Sequence, residues 1–90
     1  MAHLEVTCIT KRPGHYNPHE RIEKLGGVGW YKDESEVIAD IERGANSYCV
    51  SAGGRIVQLV VSTSQGRKYL KTLADDYAPN NLLALPECNR

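Results

Sequence analysis

Ninety residues with 41% hydrophobic and 24% charged content fit one small domain, taken as residues 1–90, and leave no room for a second core. Eleven basic and eleven acidic residues cancel, which excludes the uniform positive field of a protein that holds nucleic acid by counterion release alone. The charges nevertheless segregate, with five acids and one base in residues 33–43 against four bases and no acid in residues 55–71.

The chain opens on a strand. Leu4, Val6 and Cys8 alternate with Glu5 and Thr7, the period of two that a half-buried strand requires. Pro13-Gly14 then signals a turn. Asn17-Pro18-His19-Glu20 carries the marks of a helix start: a capping Asn, Pro at the first helical position, and a Glu able to reach back. Ile22 and Leu25 supply an apolar side and Gly26-Gly27 a stop, so a short first helix is predicted, with Trp30 and Tyr31 extended behind it.

A second helix starts at Asp33, Glu34 or Ser35, carries Val37, Ile38 and Ile41 on one stripe, and ends before Gly44. Its early acids suit the helix dipole. Three β-rich runs follow. A two-residue loop at Gly53-Gly54 would pair Val50 with Val57 and Tyr48 with Leu59. A second turn at Ser64-Gln65-Gly66, of two or four residues, places Leu70 on the face of Val57, Leu59 and Val61, and points Tyr69 and Lys71 the other way. In the tail, Pro79 and Asn80-Asn81 precede Leu82, Leu83 and Leu85, which read as one docked helical turn. The expected architecture is a two-layer α+β sandwich of order β-α-α-β-β-β, with a mainly antiparallel sheet, two short helices on one face and a C-terminal helical turn.

Cys8, Cys49 and Cys88 form an odd, widely spaced set and are read as free thiols, which points to a reducing compartment. The N-terminus lacks a basic region followed by an apolar stretch, so a cytoplasmic protein with no membrane partner is expected.

Each candidate chemistry competes with a plainer reading. Cys8, His15, His19 and Cys88 have the side chains of a zinc site but lack the close ligand pairs such sites use, so neither metal nor cofactor is expected. Cys8 then serves as a small buried hydrophobe. A nucleophilic site built from Cys49 or Cys8 with His15 and Asp75 lacks any motif placing a base beside a thiol, and no catalytic residue is assigned. Gly26 to Gly29 follow a predicted helix, whereas a phosphate-cradling loop precedes one. Asp75-Asp76 reads as a solvated turn, and Trp30, Tyr31, Tyr48 and Tyr77 are divided between core and contact surface.

The strand Thr7-Cys8-Ile9-Thr10, Asn17-Pro18-His19-Glu20, Gly26-Gly27, Tyr48 to Gly54, Gly66-Arg67-Lys68-Tyr69-Leu70-Lys71-Thr72, and Pro79-Asn80-Asn81-Leu82-Leu83 with Leu85-Pro86-Glu87-Cys88 together resemble one family. It is a small stand-alone bacterial domain of unknown function. The resemblance spans nearly the whole chain and implies bacterial origin and a binding or regulatory role, with no activity and no catalytic residues to carry over. The motif positions point to the last strand and the tail, Arg67 through Asn81, as the place for a site.

The function expected is therefore a binding module that acts through protein partners or self-association as a homodimer, using Arg55, Arg67, Lys68, Tyr69, Lys71, Asn80 and Asn81. A nucleic-acid module using the same basic and aromatic sheet face is the alternative, with Tyr69 stacking a base. A small enzyme with a Cys, His and Asp site is the third reading.

Overall fold

The computed structural model describes residues 2–11, 22–52, 54–73 and 80–88. The first alternating run is a strand, but it breaks at Val6-Thr7 into β1 (Ala2–Glu5) and β2 (Cys8–Lys11). Val6 donates its amide to Cys49, and Thr7 donates to Gly26, so successive residues hydrogen-bond into different sheets. The break also reverses the inward parity. Val6 and Ile9 are both buried, an odd spacing that turns Cys8 away from the core.

The first predicted helix does not form where its apolar side was placed. Ile22–Gly27 is strand β3, paired antiparallel to β2 on one side and to β4 (Trp30–Asp33) on the other. The spacing of Ile22 and Leu25 imitates a helix because of a register shift: Thr10 pairs with Lys24 while Lys11 pairs with Ile22. The extra residue, Glu23, is a β-bulge that returns Ile22 and Leu25 to the same buried side. Gly26 and Gly27 are strand residues and not a helix stop. The start signals at Asn17 to Glu20, together with Pro13-Gly14, lie outside the described residues.

The helix α1 (Glu34–Glu42) and the meander form where the sequence placed them. Asp33 caps α1 in extended geometry, and Gly44, with φ of 71°, donates to Ile41 just past the end. Asp33 makes no side-chain cap bond; its carboxylate pairs with Lys24 at 3.0 Å. β5 (Asn46–Ala52) pairs antiparallel with β6 (Arg55–Ser64), matching Val50 to Val57 and Ala52 to Arg55 across a two-residue loop. β7 (Arg67–Thr72) follows a turn in which Gln65 and Gly66 both have positive φ, 52° and 79°, the geometry of a type I′ hairpin. The Ser64–Arg67 pair settles that loop at two residues, and Leu70 lies opposite Val61.

The four-stranded sheet has the order β1-β5-β6-β7, with β1 parallel to β5, and the three-stranded sheet has the order β2-β3-β4. α1 packs against strands of both. The protein is thus mostly β, built on two sheets around one substantial helix, and the two-helix α+β sandwich is overturned. The strong turn-forming glycines and the bulge favour strands on both sides of α1, where a helix followed by strands was expected.

The core joins Val6, Ile9, Ile22 and Leu25 to Val37 and Ile38 of α1, Tyr48 and Val50 of β5, Leu59, Leu70, and Leu82 of the C-terminal turn α2 (Asn80–Leu83). Each such side chain contributes about 1.5 to 3 kcal/mol on burial. Beyond α2 the chain lies along the outer edge of β2: Ile9 donates to the Pro86 carbonyl and Cys88 donates to that of Ile9. Cys8 and Cys88 form a disulfide with Cα atoms 4.9 Å apart, which corrects their reading as free thiols. Cys49 remains a thiol.

Candidate functional site

Three side-chain arrangements compete as sites. The first is a polar cluster around Asp40, which extends from α1 toward β4 and β5. Its Oδ2 accepts from Tyr48 Oη at 2.7 Å, Lys32 Nζ at 3.0 Å and Asn46 Nδ2 at 3.1 Å, while Oδ1 accepts from Arg43 at 2.6 Å. The Tyr48 hydroxyl, with Lys32, Asn46 and Arg43, holds the carboxyl well below the usual carboxylate range despite its burial. The same contacts raise Lys32, first through Tyr48 and then Asp40, while burial raises Tyr48. Four donors occupy the carboxylate's acceptor positions, so Asp40 acts as a pin that fastens α1 to β4 and β5 rather than as a base awaiting substrate.

The second arrangement is a groove of about 300 Å³ between α1 and the start of β7, lined by Glu34, Ser35, Ile38, Ala39, Glu42, Arg67 and Lys68. Here the acidic helix meets the basic strand. Arg67 pairs with the buried Glu34 at 3.1 Å, and Lys68 pairs with Glu42 at 2.8 Å. Two bases of the basic block thus meet two acids of the acidic block across the fold, while Asp33 and Asp40 pair with Lys24, Lys32 and Arg43. Tyr69, expected on an exposed sheet face, is only 2% exposed and offers no stacking surface. Cys49, which alternates with the core residues Tyr48 and Val50 on β5 and so points to the opposite sheet face, is buried too, and α2 packs against the two strands that carry Cys49 and Tyr69, β5 and β7. Arg55 is exposed at the start of β6 and Lys71 is half-buried on β7. Asn80 and Asn81 form the first half of α2, which packs against β7, the strand of Arg67, Lys68, Tyr69 and Lys71, whereas Arg55 lies beyond the end of the β6–β7 ladder, which stops at Leu59.

The third arrangement lies at β1. His3, Leu4, Glu5, Thr7, Val28 and Trp30 line a groove of about 240 Å³. Val28 occupies the tight turn between β3 and β4 and is 93% exposed, the most exposed of the large apolar side chains among the described residues. Trp30 forms the inner wall: its ring meets Tyr48 edge-on at 5.3 Å, which ties the groove to the core and to Asp40 through the Tyr48 hydroxyl. The His3 ring bonds Ser47 on β5 and fixes the groove's outer end. Composition marked Trp30 as a contact candidate; Val28, a lone Val between glycines, carried no signal because only the β3–β4 pairing raises it above the surface.

The thiol chemistry considered from sequence finds little support here. Burial, aided by the Glu5 carboxylate, pushes the Cys49 thiol up, away from a nucleophile's range, and Cys8 is engaged in the disulfide. His15, His19, Asp75, Asp76 and Tyr77 lie outside the described residues. Among the described residues no group of His, Cys, Asp and Glu side chains is placed to hold a metal ion, and no helix is long and apolar enough to cross a membrane.

A family model described as protein of unknown function (DUF3892) matches residues 5–86. No curated protein and no solved structure matches the chain.

Proposed function

The chain belongs to this DUF3892 family, and from the geometry inside the matched residues we propose that it is a protein-interaction module that associates with a second copy of itself through the Val28–Trp30 groove. One observation carries the reading: a protruding apolar side chain, Val28, stands at the rim of a groove whose apolar wall is Leu4 and Trp30 and whose remaining lining is His3, Glu5 and Thr7. A knob and a hole side by side are self-complementary across a two-fold axis, so each copy's Val28 can enter the other's groove. Trp30 supplies the rigid anchor common at the centres of such contacts. Ile56 and Leu73 are also exposed but stand apart from either groove, as isolated surface apolar residues commonly do.

The nucleic-acid alternative is less well supported, because Arg67 and Lys68 meet carboxylates and the Tyr69 ring is buried. The test is mass by light scattering. Wild-type protein should measure as a dimer, and Val28→Glu as a monomer with an unchanged circular dichroism spectrum, since Val28 supports nothing in the core. A monomeric wild type, or a dimer indifferent to Val28→Glu, would reject this surface.

A further inference from the structure

The segment that follows α2 is held to the body in an unusual way. Residues 86–88 extend the three-stranded sheet beyond β2 through two backbone hydrogen bonds, Ile9 to Pro86 at 3.0 Å and Cys88 to Ile9 at 2.9 Å, with Glu87 bridged parallel to Ile9. Pro86 and Glu87 are exposed, and the disulfide half-sulfurs of Cys8 and Cys88 belong to residues only half-buried. By contrast Leu82, six residues before Cys88, is fully buried in the core. Leu83 and Leu85 also pack against the core, so the chain is anchored firmly as far as Leu85 and clasped covalently at Cys88, and residues 86–88 themselves bury no apolar side chain fully.

We propose that the Cys8–Cys88 disulfide is a redox-operated clasp: its reduction releases residues 86–88 and uncovers the outer edge of β2, while the rest of the fold stays closed. The reductant is a dithiol. One of its thiolates attacks a disulfide sulfur, the mixed disulfide is resolved by its second thiol, and the products are an oxidised dithiol and two protonated cysteines; two electrons and two protons pass to the protein. Gly26 covers the disulfide from one side, and the half-buried state of Cys8 and Cys88 leaves the attacking thiolate its path from the other.

Release stays local for a geometric reason. Two hydrogen bonds from a segment with no fully buried side chain are the low-stability end of a structure and open readily once the covalent link is gone, whereas Ile9, Leu82 and the β2–β3 pairing belong to the core. Leu82 also keeps Cys88 within reach of Cys8, so when the disulfide form of the dithiol accepts the two electrons and two protons back, the mixed disulfide on one cysteine is displaced by the other in an intramolecular step at high effective concentration. What opens is specific. The Ile9 N–H and C=O, now bonded to the tail, become a strand edge able to accept another extended segment.

Gly26 is part of the device. A Cβ there would come within 2.9 Å of the Cys8 sulfur, 3.0 Å of the Cys88 sulfur and 3.0 Å of the Tyr31 ring, so the disulfide lies directly over bare backbone. Cys49 stays outside the exchange because it is buried with a raised pKa.

Amide hydrogen exchange of the full chain, oxidised and in dithiothreitol, tests the clasp. The Ile9 and Cys88 amides should lose about tenfold or more of their protection on reduction, while those of Val6, Thr7 and Leu73 keep theirs. Alkylation of the reduced protein should modify Cys8 and Cys88 and spare Cys49. A Cys8→Ser/Cys88→Ser variant should reproduce the local loss without reductant. Unchanged Ile9 and Cys88 protection would overturn the proposal, as would protection lost at all five amides or ready alkylation of Cys49, either of which would make the bond a staple for the whole fold.

Discussion

Gly27 lies beneath the indole of Trp30, its partner across the β3–β4 pair, and a Cβ at Gly27 would strike both the indole and the Glu5 carbonyl. The ring that walls the groove is thus seated on bare backbone at the point where β1 approaches β3. A glycine in a strand usually weakens it; here it admits a large cross-strand neighbour.

Gly27→Ala should therefore destabilise the protein by about 1 to 3 kcal/mol, the ordinary cost of overpacking a filled site. Backbone conformation is not the cause, because Gly27 is not among the glycines with positive φ. Denaturant unfolding would give the loss, and Trp30, the single tryptophan, would report displacement of its ring through a shifted emission. Gly29→Ala makes the comparison: its added methyl meets open space, so any cost there comes from its φ of 80°.

The Asp40 cluster sets the acid limb of stability. Its folded pKa lies below the unfolded value of about 3.9, so the stabilisation is fully present above that value and is lost as pH falls through the folded one. Lys32 and Tyr48 are both raised, so their contribution persists below their unfolded values near 10 and fades as pH rises beyond them. Asp40→Asn should cost about 2 kcal/mol near neutral pH and flatten the fall on the acid side. Urea midpoints measured against pH for both proteins check the sign: an undiminished acid limb in the variant would assign it to other carboxylates.

The crossed charges of α1 and β7 predict how the protein meets nucleic acid. Wild-type protein should pass a DNA column unretained at moderate salt, because Glu34 and Glu42 answer Arg67 and Lys68. A Glu34→Gln/Glu42→Gln variant raises the formal charge from 0 to +2 and should gain salt-sensitive retention. Retention of the wild type that weakens with salt would restore the nucleic-acid reading.

Cys49 should behave as an inert thiol. Burial and the nearby Glu5 raise its pKa, so alkylation at neutral pH should be slow in the oxidised native protein and rapid after unfolding. Fast native labelling would show that β5 opens locally.

The sequence by itself determined α1 and the meander, because their signals are local: an apolar stripe closed by Gly44, and turns at Gly53-Gly54 and Gln65-Gly66 whose length fixes the register of the strands they join. It also displayed the opposed charge blocks, though not that they face each other. Only the tertiary structure decided the rest. Ile22 and Leu25 carry helical spacing, yet they share a side through the bulge at Glu23, and a bulge depends on the partner strand. Gly26 and Gly27 look like a helix stop until the disulfide and Trp30 are seen above them. Cys8 and Cys88 are 80 residues apart, and no spacing rule joins them; the tail's return along β2 does. Alternation placed Tyr69 outward, and the packing of both sheet faces buried it. Local propensity is written in neighbours along the chain, whereas pairing partners, buried faces and cross-links depend on residues that only folding brings together.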